Sequence, residues 1–299
     1  MERRIPQLTA FILAALGFLF GGSSYDILHL SNDARSLSLH NAASAYDRSL
    51  LRNNPAALSV GTERNSYSSL ILPSRIHSGE IQRVFKMGSG ISAGKLSYIS
   101  YGTIYDSETK KKTTAYDILL EMGYKKELKN IVSVGISGGY LFSSICGYRS
   151  QQLYTNIGIR SRMMRKRLGL GFSLENIGFL ITSYTDMKES IPIIFRSALY
   201  YKPKYLPAII SVDIIRNLDR GIVELFGGLE FNPEKRLTIR LGCSSRRTDF
   251  LTGNFPSDLL SAVSGGAGFK FNKINLDIGF MNLGASGYII GFSISNKRN

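Results

Sequence analysis

The sequence predicts an all-β protein: a transmembrane antiparallel β-barrel of about 14 strands, preceded by a short N-terminal plug segment. Short segments with period-two alternation follow one another from Asn65 to the end, separated by Gly, Asn, Asp, Lys or Pro turns. One face of these segments is large and apolar, whereas the other mixes Gly, Ser, Thr and charged residues, as a lumen would require. An even number of strands closes the sheet without an unpaired edge, as hydrocarbon demands.

Residues 1–24 are predicted to be an export signal. Arg3 and Arg4 form a positive start, Leu8 to Phe20 an apolar stretch of thirteen residues, and residues 21–24 a small-residue cleavage zone. This stretch is shorter than the ~18 residues of a membrane-spanning helix. We therefore expect an exported chain located in the bacterial outer membrane.

Residues 25–64 are predicted to fold as a plug, or hatch, inside the barrel. Within them, the stretch from Ala34 to Leu58 does not suit a barrel wall. Pro55 lacks a backbone N–H and would interrupt a central strand, and Ala56 and Ala57 bring little bulk. We expect the Asn54 side chain to hydrogen-bond a neighbouring turn or the inner wall.

Residues 65–299 are predicted to form the barrel itself. A strand such as 274–281 places Ile274, Leu276, Ile278 and Phe280 on one face and Asp277 on the other. The longest connections are expected near 178–188 and 246–261. The predicted strands span residues 65–73, 78–87, 90–103, 112–124, 130–145, 150–163, 166–177, 189–202, 206–218, 220–232, 235–245, 262–271, 273–282 and 286–297.

The chain is strongly basic, with 37 Lys and Arg residues against 22 Asp and Glu residues and a formal net charge of +15. On an exported protein the nearest polyanions are anionic lipid headgroups and surface polysaccharide, so we expect no nucleic-acid partner. Two clusters could bind an anion such as a lipopolysaccharide phosphate, or could be solvated turns. These clusters are Lys110-Lys111-Lys112 and Arg165-Lys166-Arg167.

Four charged residues on the smaller face are candidates for the lumen. Arg240, Glu224, Glu230 and Asp277 either set the selectivity of a pore or pair with one another across a plugged lumen. The residue pattern leaves both interpretations open.

Catalysis is not expected. The two G-x-S-x-G matches, at residues 90–94 and 135–139, lack a following helix, and all three histidines precede them. No cluster of His, Cys or carboxylates has metal-ligand spacing, so we expect no metal and no cofactor. Cys146 and Cys243 are far apart, and either a disulfide or two free thiols is compatible with the sequence.

The N-terminal stretch resembles the hallmark of the PorV/PorQ family, within the superfamily of FadL-type outer-membrane proteins. The C-terminal third adds a similarity, in order and spacing, to the family's last strands at residues 228–231, 237–242, 266–271 and 276–280. A departure is the sequence of residues 37–41, where the family has a glycine-rich turn. The hallmark positions in this chain are Ala34, Arg35, Ala42, Ala43, Asp47, Asn54, Pro55, Ala56 and Leu58.

This resemblance implies a fourteen-stranded outer-membrane barrel with an inward-folded hatch, closer to PorQ than to PorV. It also implies a non-enzymatic, protein-binding role in type IX secretion or cell-surface attachment. The expected partners are secretion-system or surface-attachment proteins, outer-membrane lipid and lipopolysaccharide. The alternative is a FadL-like transporter of hydrophobic solutes, and a soluble exported β-protein is a third interpretation.

Overall fold

The computed structural model describes residues 26–28, 30, 33–46, 51, 53–59, 65–105, 112–128, 131–184, 191–246 and 261–296. No helix among them has the length and apolarity to cross a membrane. The fourteen strands of the sheet are β1 (Asn65–Leu72), β2 (Ile76–Met87), β3 (Gly90–Tyr105), β4 (Lys112–Leu128), β5 (Val132–Ile145), β6 (Tyr148–Met163), β7 (Leu168–Thr182), β8 (Ile194–Tyr201), β9 (Ala208–Asn217), β10 (Val223–Phe231), β11 (Leu237–Ser244), β12 (Val263–Phe271), β13 (Ile274–Asn282) and β14 (Tyr288–Asn296).

The strands form a closed antiparallel barrel in which each strand pairs with its neighbours in sequence. The barrel closes between β1 and β14, in a register that runs from Asn65 opposite Asn296 to Ile71 opposite Ile290. This closure leaves no unpaired strand edge. The fold class and the count of fourteen strands predicted from the sequence are therefore both confirmed by the sheet.

The two faces of the wall have opposite polarity. On β13, Ile274, Leu276, Ile278 and Phe280 are exposed on the outside, while Asp277 is buried inside. Large aliphatic and aromatic side chains are likewise exposed around the outside of the barrel. Such an outer face requires lipid, and the barrel is of the kind that bacterial outer-membrane proteins form.

The connections differ in length between the two ends of the barrel. Those at one end span at most six residues, and we call it the short-turn end. The opposite end carries the two longest connections, 183–193 and 245–262, and we call it the long-loop end. In outer-membrane barrels short turns face the periplasm and longer loops face outwards.

The wall is taller on one side of the barrel. Strands β3 to β7 contain 14 to 17 residues each, whereas β8 to β14 contain 8 to 10. The added length lies at the long-loop end: β7 continues to Thr182 although its pairing with β8 stops at Glu175 opposite Ile194. The sequence predicts that β8 starts at residue 189, but the strand begins at Ile194. The reason is Pro192, which has no backbone N–H to donate to a neighbouring strand.

The described residues between 26 and 59, which we call the inner segment, lie inside the barrel. Its one helix, α1 (Ala34–Ser38), contacts β11 to β14 and β1, while a 3-10 turn, Pro55–Ala57, contacts β4 to β7 on the opposite wall. Residues 1–25, which include the predicted export signal, are outside the described residues, as is Asp47.

Candidate functional site

Helix α1 is short and relies on the barrel wall. Asp33 caps it by accepting a hydrogen bond from the Ser36 N–H, and the Ser38 hydroxyl donates to the Ala34 carbonyl (2.6 Å). The Ala34 N–H donates to Ser293 Oγ on β14 (2.8 Å), and Ser264 Oγ on β12 donates to the Ser38 carbonyl (3.1 Å). Five residues cannot form a stable helix alone, so these wall contacts hold α1 in place.

Glycines on the wall let α1 come this close. A Cβ on Gly266 would overlap the Ser38 hydroxyl, and a Cβ on Gly279 would overlap the Ala34 carbonyl oxygen. On β14, a Cβ on Gly291 would lie 3.3 Å from Ala34 Cα. These residues therefore form a glycine floor under the helix, and larger residues there would displace it.

The turn at Asn54-Pro55-Ala56 is fixed to the opposite wall. Asn54 Oδ1 accepts from the Ala56 N–H (3.0 Å), so this side chain caps its own turn. Ser133 on β5 donates to the Ala56 carbonyl (2.9 Å), and Lys125 on β4 donates to the Leu58 carbonyl (2.8 Å). Buried carbonyls of the inner segment thus receive wall donors.

A row of buried charged side chains crosses the lumen face from β7 to β13. Arg35 of α1 donates to Glu230 (3.0 Å), and Glu230 also accepts from Arg240 (2.8 Å), which reaches Asp277 (2.6 Å). All four side chains are almost fully buried. Charge-assisted hydrogen bonds of this kind are among the stronger ones in proteins. The Arg35–Glu230 pair, which we call the latch, therefore holds the inner segment to the wall.

The same row of charged side chains includes residues of β7 to β9. Arg196 donates to Glu175 (2.7 Å) and lies 3.4 Å from Asp213. The Asp213 carboxylate in turn accepts from the backbone N–H groups of Ala43 (3.0 Å) and Ser44 (3.3 Å). The inner segment is therefore tied to the wall through two separate carboxylates, Glu230 and Asp213.

This arrangement bears on the four lumen charges identified in the sequence. Glu230, Arg240 and Asp277 pair with one another, and Glu224 accepts a hydrogen bond from Arg246 (2.6 Å). Of the two interpretations that the sequence left open, the geometry favours pairing across a filled lumen over selectivity in an open one.

Part of the long-loop half of the lumen is apolar, and this part lies beside buried polar and charged side chains of the kind that the sequence predicts for the inner face, such as Asp117, Ser143 and Gln152. Side chains of the inner segment and of the wall form one buried cluster there, which we call the apolar chamber. The apolar part has a physical reason: four side chains of the inner segment enter this half and need apolar partners. The cluster includes Ile27, Leu28, Leu30 and Leu37 from the inner segment and Leu70, Leu72, Ile76, Ile99, Leu119, Leu141, Met281, Leu283 and Ile289 from the wall or its connections.

A signal for the chamber was present in the sequence. Around Leu119 and Leu141 the alternation gives way to continuous apolar runs, Ile118-Leu119-Leu120 and Leu141-Phe142. Such runs are typical of strands that are buried on both faces. Leu119 and Leu141 are directly opposite each other on β4 and β5 and have no exposed surface.

A cavity of about 120 Å³ lies beside the chamber. Leu30, Leu37 and Phe226 contribute to its apolar side, whereas the ion pairs Arg196–Glu175 and Arg246–Glu224 contribute to its polar side. Its size is on the order of the ~150 Å³ apolar cavity that accommodates one benzene molecule. The space is therefore large enough for one small solute, which would meet apolar side chains on one side and ion pairs on the other.

His40 lines the same cavity from the inner segment. Its ring is buried, and Nδ1 has no hydrogen-bond partner among the described residues. Burial, together with the charge of Arg246, lowers the pKa of His40 to about 4. The imidazole is therefore neutral at pH 7, and it contributes a polar group to the lining of the cavity.

The wall next to the cavity is irregular. Asn176 on β7 has a positive φ of 63° and interrupts the ladder with β6, and its N–H donates to Asn156 Oδ1 (2.7 Å). Beyond it, residues 177–182 pair only with β6 in the described part of the chain, while Phe179 and Ile181 are exposed on the outer face. Glu175 and Ile194, where the pairing with β8 ends, both line the cavity.

The described members of the two basic clusters found in the sequence lie at opposite ends of the barrel. Lys112 begins β4 at the long-loop end, and Arg165, Lys166 and Arg167 form the β6–β7 turn at the short-turn end. Lys110 and Lys111 are outside the described residues.

The G-x-S-x-G serines are both on strands. Ser92 donates to Met87 Sδ (3.6 Å) on the outer side, and Ser137 accepts from Asn156 inside (3.1 Å). Neither has the strand–turn–helix setting of a nucleophile. Within the described residues, no group of three or more His, Cys, Asp or Glu side chains could hold a metal, and Cys146 and Cys243 are free thiols.

Several solved structures have this fold. The Pseudomonas putida toluene transporter TodX is 12% identical, with a TM-score of 0.60 over 89% of this chain and 98% of that one. The Ralstonia pickettii toluene transporter TbuX is 10% identical, with a TM-score of 0.59 over 91% and 99%. The monoaromatic hydrocarbon channel CymD is 10% identical, with a TM-score of 0.61 over 90% and 98%.

No family model and no curated protein matches the chain. The structural similarity shows the fold alone, a closed β-barrel of the kind that these transporters and this channel have. The chain is thus an outer-membrane β-barrel, and the predicted localisation is confirmed. Its neighbours are channels and transporters, and the finer assignment to the PorV/PorQ family stays a prediction.

Proposed function

We propose that this barrel admits small hydrophobic solutes to its lumen and passes them across the outer membrane. The observation that carries the proposal is the apolar chamber, because an ordinary water-filled pore has a polar lumen. The structural neighbours whose names refer to toluene or monoaromatic hydrocarbons support the same class of solute.

The inner segment is the gate in this proposal. Ile27, Leu28, Leu30 and Leu37 occupy the chamber, so a solute gains space only as these side chains yield. The cavity beside them is the initial binding space. The adjacent part of the wall is formed by residues 177–182 of β7, which pair with β6 but not with β8 in the described part of the chain.

A polar substitution in the chamber tests the proposal. In detergent-solubilised protein, fluorotoluene binding is followed by fluorine NMR, and toluene uptake is measured in cells that produce the barrel. Leu119→Asn places an amide in the chamber, and an unpaired buried amide costs about 1–3 kcal/mol, so we expect binding to fall roughly tenfold or more.

Val84→Asn is the matched control, since Val84 is also buried and faces inwards, but in a different cluster. Leu119→Ala enlarges the chamber, and we expect it to keep or raise the affinity. Equal binding by the wild type and Leu119→Asn, or uptake no faster than without the barrel, would exclude the proposal.

A protein-binding role of the PorV/PorQ type is the second candidate. In its favour, hallmark positions of the resemblance make specific wall contacts: Ala34 with Ser293, Arg35 with Glu230, and Ala56 with Ser133. Purification in mild detergent separates the candidates. Type IX secretion or surface-attachment proteins in stoichiometric amount support this role, whereas a barrel that purifies alone and binds fluorotoluene supports solute passage.

A further inference from the structure

In four consecutive turns at the short-turn end, nearly all of the charged residues are Lys or Arg. They are residues 164–167, 202–207, 232–236 and 272–273, and Glu234 is the one acidic residue in them. We call this surface the basic arc. Its cations are Arg165, Lys166, Arg167, Lys202, Lys204, Lys235, Arg236 and Lys273.

Backbone hydrogen bonds join the first three turns of the basic arc to one another and join the third turn to β12. The Lys202 N–H donates to the Arg167 carbonyl (2.8 Å), the Asn232 N–H to the Pro207 carbonyl (2.8 Å), and the Lys270 N–H to the Arg236 carbonyl (2.9 Å). The cations are thus held side by side along one half of the rim, and their potentials add.

Carboxylates do not neutralise this surface. Within the described part of the chain, the eight arc cations form no ion pair with an Asp or Glu side chain. Arg162, a basic residue of β6 that does not belong to the arc, donates to Glu127 of β4 (2.7 Å). The Lys202 ammonium is directed towards the inner segment, 4.4 Å from the centre of the Tyr46 ring. The other seven cations of the arc therefore offer fixed positive charge to an external anion.

Large apolar side chains are interleaved with these cations. Met164 is 67% exposed, Tyr205 88% and Phe271 57%. The Lys204 ammonium lies 5.0 Å from the centre of the Tyr205 ring. A surface that met only water would not gain from exposing these groups, whereas cations beside aromatic and apolar side chains match the headgroup region of a bilayer.

We propose that the basic arc binds the phosphates of anionic phospholipids in the leaflet that the short turns face. Arg and Lys side chains contact the phosphates, and Met164, Tyr205 and Phe271 enter the upper acyl region. Lipopolysaccharide phosphates belong to the leaflet at the long-loop end, so phospholipids are the occupants to which the position of the arc points.

The test uses the intact barrel with lipids of defined charge. Native mass spectrometry in detergent measures the retention of cardiolipin, phosphatidylglycerol, phosphatidylcholine and lipopolysaccharide. The wild type should retain cardiolipin and phosphatidylglycerol at least tenfold more than phosphatidylcholine. The variant Arg165→Gln/Lys166→Gln/Lys204→Gln should lose most of this retention, since each surface cation is worth about fivefold in affinity for an anionic bilayer.

A matched control removes the same charge at the other end of the barrel. Arg75, Lys112 and Arg149 are exposed at the long-loop end, and Arg75→Gln/Lys112→Gln/Arg149→Gln should retain both anionic phospholipids as the wild type does. Equal retention of phosphatidylcholine, equal loss in both triple variants, or a preference for lipopolysaccharide at the arc would overturn the proposal. So would retention that depends on an acidic protein that copurifies with the barrel and not on lipid.

Discussion

Glu230 is the residue on which the latch depends. It accepts hydrogen bonds from Arg35 of the inner segment and from Arg240 of the wall, and all three side chains are buried. A buried ion pair adds modest stability when it is complete, but the loss of one partner leaves an uncompensated charge. The carboxylate is therefore more important for holding the inner segment than its single contact with that segment suggests.

We expect Glu230→Gln to destabilise the folded barrel by about 3 kcal/mol or more, because two arginines then share a neutral amide. The measurement is thermal unfolding, read from the heat-dependent shift in gel mobility. Glu234→Gln makes the same chemical change on an exposed turn and should leave the transition unchanged. A wild-type transition in Glu230→Gln would show that the latch does not hold the segment.

At the scale of elements, helix α1 and the glycine floor form a matched pair. The helix is too short to be stable alone, and the floor on β12 to β14 is flat enough for its backbone to touch the wall. The position of the inner segment thus depends on the absence of side chains on the wall as much as on its own hydrogen bonds.

Gly279→Ala should displace α1 while the barrel still forms, since the new methyl group overlaps the Ala34 carbonyl, yet strands accept Ala. Hydrogen exchange checks this: amides of residues 34–46 should exchange at least tenfold faster, with strand amides unchanged. Gly94→Ala is the control, because a Cβ there meets no atom within 4 Å. Unchanged exchange in Gly279→Ala would mean that the floor tolerates a side chain.

At the scale of the whole molecule, the alternation of strands decides which groups share an end. The long connections lie together at one end, and the basic arc lies at the other. Solute access and lipid binding, as proposed here, are therefore placed on opposite sides of the membrane by topology alone.

The natural cysteines test this orientation. Cys146 is partly exposed in the β5–β6 turn at the long-loop end, and Cys243 faces outwards from β11. A membrane-impermeant maleimide should label intact cells through Cys146, so Cys146→Ser should abolish labelling and Cys243→Ser should preserve it. Labelling of Cys146 only after cell lysis would reverse the assigned orientation.

The sequence by itself determined the barrel. Period-two alternation fixes which side chains face lipid, and turn residues fix where each strand ends, so the fourteen strands could be placed within a few residues. The main errors have local causes, namely Pro192 before β8 and the bulge at Asn176, which lets β7 continue to Thr182.

Only the tertiary structure decided what fills the lumen. Glu230, Arg240 and Asp277 are separated in sequence by up to 47 positions, and their pairing with Arg35 depends on closure of the barrel around the inner segment. The apolar chamber likewise unites Ile27 with Leu119 and Ile289. Alternation is a property of neighbouring residues, whereas these contacts join residues that only a closed sheet brings together, and no local pattern encodes them.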